Sequence, residues 1–203
     1  MADVGAVILA AGAGRRMGQP KALVEWQGES FLARVARVLD TQADVSAICA
    51  VLGAEADAVK AQVALPPRVE AVVNADWETG GMISSIQTGL SALLAAGHAE
   101  DGLLVWPVDH PAVSGAAVAE LLASYVALRP AVAIPAWSGR HGHPVIFAPE
   151  TYTELASVSG GEGARAVADA HSRLVVAVDD PGVLLGVDRP ADLEALEPVG
   201  VRA

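Results

Sequence analysis

Short apolar runs alternate along this chain with segments whose apolar residues recur at the 3.6-residue period of a helix. Val4–Ala10 is continuous, apolar and stopped by glycines, which predicts a buried first strand. Ser30–Leu39 sets Phe31, Leu32, Val35, Val38 and Leu39 on one helical face, with Arg34 and Arg37 opposite. Strand-like Val45–Leu52 precedes helix-like Glu55–Val63, and Val69–Val73 is the next strand. Gly81–Leu94 reads as a helix, Leu103–Val105 as a strand, and Ser114–Leu128 as a helix opened by a serine cap. Ala131–Pro135 and Pro144–Phe147 read as strands, and Pro149–Leu155 and Glu162–Ala170 as short helices. Leu174–Val178 is strand-like, and Pro190–Leu196 closes the series as a helix. Strands separated by helices predict a single-domain α/β protein: a Rossmann-like three-layer α/β/α arrangement around a mostly parallel sheet. In such sheets ligands bind beyond the carboxyl ends of the strands, so the chemistry is expected just after the apolar runs.

Composition narrows the picture. The 203 residues are 53% hydrophobic and 18% charged, as in a globular domain, and aromatics are scarce, so alanine, valine and leucine must build the core. No stretch approaches the roughly 18 apolar residues that span a bilayer. Val4–Ala11 is short for a signal peptide and has no basic region ahead of it, so a soluble cytoplasmic protein is expected, with no membrane partner. The one cysteine, Cys49, lies among apolar neighbours and reads as a core residue, excluding an internal disulfide and a cysteine-based zinc site. A net charge of −11 argues against a nucleic-acid partner, which demands a basic surface. An anionic small molecule needs only a locally basic pocket. The residues from about 198 to 203 are expected to form a loose tail.

That pocket is offered by the turn after the first strand, Leu9-Ala10-Ala11-Gly12-Ala13-Gly14-Arg15-Arg16-Met17-Gly18-Gln19-Pro20-Lys21. Glycines let backbone N–H groups approach phosphate oxygens, and Arg15, Arg16 and Lys21 add charge-assisted bonds. The spacing is neither of the two standard phosphate loops. Three residues separate Gly14 from Gly18 where the dinucleotide fingerprint has two, and no Gly-Lys-Ser/Thr follows. Clustered cations beside exposed amides still call for an anion.

Further candidates follow later apolar runs. Asp109 sits between two prolines after Leu103–Val105, where a carboxylate can hold magnesium against phosphate oxygens or simply cap a turn. Asp188 can complete that metal site or cap the helix starting at Pro190. Gly81, Ser84 and Ser85 can read a base or ribose, or serve as ordinary helix-start residues. His141 and His143, with Arg140, can meet an anionic acceptor, and no third ligand nearby suits a transition metal. Trp106 and Trp137 read as packing residues that could also stack on a flat ring.

Together these segments resemble one family, the nucleotidyltransferases that include the molybdenum cofactor cytidylyl- and guanylyltransferases. The likeness rests on Leu9–Gly12 with Arg16-Met17-Gly18, Pro20-Lys21 and Leu23; on Asn74–Ile86; on Pro107-Val108-Asp109-His110-Pro111, similar to a metal-binding Gly-Asp-x-Pro; on Gly139–Val145, similar to an acceptor-side Gly-Arg-x-Gly-x-Pro; and on Val187–Leu193, similar to a closing Asp-Thr-Pro-Glu-Asp-Leu. It departs at Gly186, where many relatives carry a further acid, and at Arg189, which replaces threonine. The resemblance implies a mixed sheet like that of nucleotide-diphospho-sugar transferases. It also implies a nucleoside triphosphate bound by Leu9, Ala10, Ala11, Gly12, Gly14, Arg15, Arg16, Met17, Gly18, Lys21, Gly81, Ser84 and Ser85. Arg16, Lys21 and Asp109 would be catalytic, Mg2+ would sit on Asp109 and Asp188, and Arg140, His141 and His143 would face the acceptor.

Leu-Ala-Ala-Gly in place of Leu-Ala-Gly-Gly resembles the cytidylyl branch and implies CTP. The implied acceptor is the phosphate of a molybdopterin-type cofactor, destined for a molybdenum hydroxylase. Three alternatives stay open: a sugar- or alcohol-phosphate acceptor, an NAD(P)H-dependent oxidoreductase of heterocycle catabolism such as nicotine blue reduction, and a non-catalytic carrier of the molybdenum cofactor.

Overall fold

Strand β1 (Val4–Ala10) is buried at every position, and the rest of the molecule is arranged around it. The computed structural model describes residues 2–159 and 163–196. The expected tail from about 198, and Glu162 at the start of one expected helix, lie outside the described residues. On one side β1 pairs in parallel with β4 (Val45–Leu52), which pairs in parallel with β5 (Val69–Val73). On its other side lies β6 (Gly102–Pro107), also parallel. The sheet continues through β9 (Val145–Phe147), antiparallel to both neighbours, to β7 (Val132–Trp137) and a parallel edge strand β10 (Arg173–Ala177). The eight-stranded order is β10-β7-β9-β6-β1-β4-β5, with β8 (Arg140–His141) hanging antiparallel on β7. The mixed, mostly parallel sheet matches the expected fold class.

Both faces of the sheet are covered, which is why β1 alternates between two cores. Val4, Ala6, Ile8 and Ala10 join the core packed under α1 (Phe31–Asp40) and α4 (Gly115–Leu128). Val7 and Leu9 join the other, under α3 (Gly81–Ala95), α5 (Tyr152–Ser157) and α6 (Gly163–Ala170). Serine caps start α1 and α4: Ser30 Oγ accepts from Ala33 N and Ser114 Oγ from Ala117 N, each at 3.2 Å. Cys49 is buried in β4, and burial pushes its thiol up to about 12, so it stays protonated and inert. Among the described residues no helix is long and apolar enough to cross a membrane.

Three local features differ from the expected pattern. A hairpin of β2 (Glu25–Trp26) and β3 (Glu29–Ser30) precedes α1. Its two-residue turn, Gln27-Gly28, has positive φ at both positions (55° and 77°), the conformation a tight hairpin needs. Two-residue strands are too short to show a hydrophobic period, which is why the pattern of apolar residues does not reveal them. Pro190–Leu196 forms a 3-10 helix instead of an α-helix. The Asp192 carboxylate folds back onto the amides of Asp188 and Arg189, each at 2.8 Å, and tightens the turn. Finally, Pro149–Thr151 is a 3-10 turn leading into α5, which shortens and shifts the helix expected at Pro149–Leu155.

Asn74 fixes how α3 leaves β5. It is 2% exposed, its Nδ2 donates to Ser84 Oγ (2.8 Å) and Ser85 Oγ (3.0 Å), and its Oδ1 accepts from Asp76 N at 2.9 Å. One side chain thus staples the Asp76–Gly80 turn to the first turn of α3. Asn74→Ala is expected to cost about 1–3 kcal/mol by leaving the buried Ser85 hydroxyl short of a partner. Urea unfolding measures that cost, and amide exchange should quicken across residues 76–85 but not in β1. Gly89 lets α3 lie close on the sheet. A β-carbon there would stand 2.6 Å from Val7 Cγ2 and 3.0 Å from Val51 Cγ2. Alanine's helix propensity would return ~1 kcal/mol, whereas overpacking costs about 1–3 kcal/mol. Gly89→Ala should therefore destabilise by up to ~2 kcal/mol; an unchanged melting temperature would show that the β1–α3 contact yields freely.

Candidate active site

The strand order reverses beside β1, so the chain leaves the carboxyl ends of β1 and β6 in two directions and opens a crevice between them. The glycine-rich turn rises from β1. Met17 N donates to Gly14 O at 2.7 Å, and φ is positive at Gly14 (59°) and Gly18 (76°), so the turn doubles back tightly. At Gly14 a β-carbon would lie 1.9 Å from the Gln19 carbonyl, which no side chain could survive. The turn ends in a 3-10 helix, Lys21–Leu23, that buries Ala22 in the core and leaves the Lys21 ammonium on the crevice side.

Three separate segments meet at that ammonium. Lys21 Nζ donates to Asp109 Oδ2 at 2.7 Å and also to Asp188 Oδ1, while Arg16 Nη1 lies 3.7 Å from Asp188 Oδ2. Asp109 is placed by β6, whose pairing with β1 continues as Val108 N donates to Leu9 O at 3.1 Å. Asp188 is brought alongside because Val187 N donates to Asp109 O at 2.8 Å. The closing segment that carries it is anchored upstream by Asp180. That buried carboxylate accepts from Ser114 N and Gly182 N, both at 2.7 Å. The capping reading of Asp188 is thereby corrected: Asp192 caps those amides, and the Asp188 side chain turns to Lys21.

Electrostatics keeps the cluster charged. Burial works against the Lys21 ammonium, but its two carboxylate bonds outweigh that and hold its pKa above the ordinary lysine value. Burial likewise opposes ionisation of Asp109, yet hydrogen bonds from His110 and Lys21 prevail and bring it down to about 2. Two anionic oxygens converging on one cation position are the donors a hard divalent ion takes, so Asp109 and Asp188 fit a magnesium-type ion with phosphate and water oxygens as its other ligands. Among the described residues no group of three His, Cys, Asp or Glu side chains is arranged to hold a metal, so the histidines form no such site.

One cleft opens at this cluster and a second adjoins it. The first, of about 260 Å³, is lined by Leu9, Ala11, Gly12, Gly14, Lys21, Gly81, Ser85 and Asp109, as the sequence suggests, and also by Trp77, Met82, Pro107 and Val108. Trp77 is held there because Gly53 has no side chain: a β-carbon would strike the Trp77 Cγ at 2.6 Å. Other expected nucleotide residues support the cleft without lining it. Ala10 packs in the core, Met17 rests against it, Gly18 shapes the turn, and Ser84 is taken up by Asn74 and Gly81. Arg15 pairs with Glu78 at 3.1 Å on the open surface, a contact worth ~0–1 kcal/mol and easily exchanged for a ligand.

The second cleft, of about 660 Å³, shares Gly81, Met82 and Pro107 with the first. Its walls are apolar (Ile83, Ile86, Val105, Ile134, Val145, Phe147), and His141, His143, Arg165 and Arg173 stand along it. Of the three expected acceptor residues it takes in His141 and His143 but not Arg140. Neighbouring positions on β8 face opposite ways, and Arg140 is exposed. The arginines that do line this cleft are Arg165 and Arg173, which share Asp169 at 3.6 and 2.6 Å. Their only sequence signal was the four-residue spacing of each from Asp169. His143 is held low, to about 4, by burial and by His110 beside it, so it meets a ligand as a neutral ring. Trp106 is fully buried and donates Nε1–H to His110 O at 3.2 Å, which confirms it as a packing residue.

Known proteins share this arrangement. The chain is 37% identical over 183 residues to a nicotine blue oxidoreductase of Paenarthrobacter nicotinovorans, covering 85% of each. It is 31% identical over 116 residues to a probable molybdenum cofactor guanylyltransferase of Bacillus cytotoxicus, covering 56% of this chain and 53% of that one. Among solved structures, an Rv0371c homologue from Mycobacterium sp. strain JC1 superposes with a TM-score of 0.82 at 27% identity, covering 97% of this chain and 96% of that one. The manganese complex of Mycobacterium tuberculosis Rv0371c gives 0.75 at 25% identity, covering 96% and 97%. A family model for the MobA-like NTP transferase domain matches residues 6–175, which takes in β1, the glycine-rich turn, Lys21 and Asp109. With that match, and the crevice those residues build, the chain belongs to the MobA-like NTP transferase domain family.

Proposed function

We propose that this protein transfers the nucleoside monophosphate of a triphosphate, CTP by preference, to the terminal phosphate of a molybdopterin-type cofactor, with Mg2+ as the metal. The observation that carries this reading is a pair of clefts that meet at Gly81, Met82 and Pro107, the smaller of them holding Lys21 and Asp109. The smaller cleft, where Gly12 and Gly14 leave backbone bare beside Lys21, suits a triphosphate. The larger has broad apolar walls that suit the face of a flat heterocycle, with His141, Arg165 and Arg173 to meet its phosphate. Ala11, lining the smaller cleft where some relatives have glycine, narrows it by a methyl group and favours a pyrimidine.

The chemistry needs no protein nucleophile. An acceptor phosphate oxygen attacks the α-phosphorus in line, the new O–P bond forms as the bond to the β-phosphate oxygen breaks, and pyrophosphate leaves with the electron pair. Amides of the Gly12–Gly18 turn, with Arg16 and Lys21, hold the departing phosphates and meet the charge that grows on them. Lys21, already between two carboxylates, shifts from Asp188 toward the phosphates at little electrostatic cost. A divalent ion on Asp109 and Asp188 would supply further charge neutralisation at the α- and β-phosphate oxygens. The product, a dinucleotide form of the cofactor, would pass to a molybdenum hydroxylase.

A second reading rests on the nicotine blue oxidoreductase relative: reduction of a flat heterocycle by NAD(P)H, with the apolar cleft as its site. A thermal-shift screen of CTP, GTP, ATP, UTP and NAD(P)H, each with and without Mg2+, separates the two. At a ligand concentration of 100 Kd the bound state gains ~2.7 kcal/mol, or roughly 5–10 °C for a chain of this size. CTP with Mg2+ should give the largest shift, and pyrophosphate release should need a molybdopterin-type acceptor. Stabilisation by NAD(P)H alone, with oxidation on adding a heteroaromatic acceptor, would replace this reading with the second. Lys21→Ala and Asp109→Ala should each abolish pyrophosphate release while keeping a cooperative melt; near-wild-type turnover in either would remove that residue from the site.

A further inference from the structure

Asp109 is gripped from two sides, and the second grip is not explained by the triphosphate site. One carboxylate oxygen, Oδ2, goes to Lys21 at 2.7 Å; the other, Oδ1, lies 2.9 Å from Nδ1 of the adjacent His110. An ionised carboxylate can only accept, so Nδ1 carries the hydrogen and donates it. His110 is itself immobilised at every end. Its N–H donates to Pro107 O at 3.1 Å, and its carbonyl accepts from the buried Trp106 indole at 3.2 Å. Its ring meets the His143 ring edge-on, with centroids 4.7 Å apart. On a further side the ring lies against Gly186, where a β-carbon would stand 3.1 Å from His110 Cε1 and 3.3 Å from Nε2. That contact is tighter than side chains normally accept, so glycine at 186 makes room for the imidazole.

A carboxylate's last torsion is broad and roughly two-fold, so a single partner leaves its plane free to swing. We propose that His110 is the positioning residue of Asp109: by holding Oδ1 it presents Oδ2 to the cation position, and Gly186 exists to seat its ring. This deepens the metal-dependent reading above and rests on it. His110 touches neither nucleotide nor acceptor in this role. It acts as the outer partner of a ligating carboxylate, the kind of contact whose loss lowers metal affinity about 10–100-fold.

The test is Mn2+ binding to the purified chain, read by electron paramagnetic resonance without nucleotide, beside CTP turnover. His110→Phe fills the space but removes the donor, and should weaken Mn2+ binding at least tenfold with an unchanged circular dichroism spectrum. His110→Asn puts an amide N–H where Nδ1 stands and should restore affinity to within about threefold of wild type. Gly186→Ala keeps the His110 donor but presses on its ring, so its Mn2+ affinity should fall between those of wild type and His110→Phe. If the phenylalanine variant does not fold, His110→Gln takes its place, because glutamine carries its donor one bond too far. Wild-type Mn2+ affinity in His110→Phe or His110→Gln, or failure of asparagine to rescue, overturns the positioning role while leaving the nucleotidyl-transfer reading in place. A wild-type chain that bound no Mn2+ would overturn the metal reading, and this inference with it.

Discussion

One ammonium group is shared by two carboxylates that arrive from distant parts of the chain, and the arrangement of the molecule serves that meeting. Lys21 comes from the turn after the first strand, Asp109 from the end of β6, and Asp188 from the closing segment. Left without Lys21, Asp109 and Asp188 would repel each other across a partly buried gap. The parallel pairing of β1 with β6 sets the distance between the first two. The third depends on a less regular device. Asp180 ties the closing segment to the start of α4, Gly182 and Gly142 lie too close to neighbouring backbone to carry side chains, and Val187 docks on the Asp109 carbonyl. Lys21 is thereby held beside the glycine-rich turn by carboxylates from two distant segments.

Much of this was legible in the sequence because its causes are local. Continuous apolar runs became the parallel strands, and serines became the caps of α1 and α4. Gly14, Lys21, Asp109 and Ser85, singled out from their types, their places after apolar runs and a family resemblance, do come together along one cleft. Four of the illegible features depended on contacts between distant segments. Nothing near Asn74 says that it will fasten two serines ten and eleven positions on. Nothing near Arg165 or Arg173 says that they will stand along the acceptor cleft, and Arg140, inside a recognisable motif, fell on the other face of a two-residue strand. Gly186 looked like a missing acid; in the structure its lack of a side chain is what admits the His110 ring.

The two clefts also differ in how firmly their walls are made. The smaller is walled in part by bare backbone at Gly12, Gly14 and Gly81 and by the stapled start of α3, so part of its shape follows from the fold itself. The larger is walled by apolar side chains and by an ion-paired trio, Arg165, Asp169 and Arg173, on the surface. Side chains and exposed ion pairs adjust at a cost of order 1 kcal/mol, whereas backbone at a positive-φ glycine does not. The smaller cleft therefore owes more of its shape to the chain's path, and the larger more to the side chains along it.

The reversed strand β9 gives that difference a genetic meaning. Because β9 runs against β6 and β7, the segment leading into it, with Gly142 and His143, reaches the crevice from a strand's beginning and not its end. Residues up to the end of β6 line most of the smaller cleft, and residues after it line most of the larger. The boundary in space is thus also a boundary along the gene. Substitutions along the walls of the larger cleft between β7 and β10 can reshape it while Lys21, Asp109 and Asp188 keep their places, because Asp188 is carried by the separate segment that Asp180 anchors.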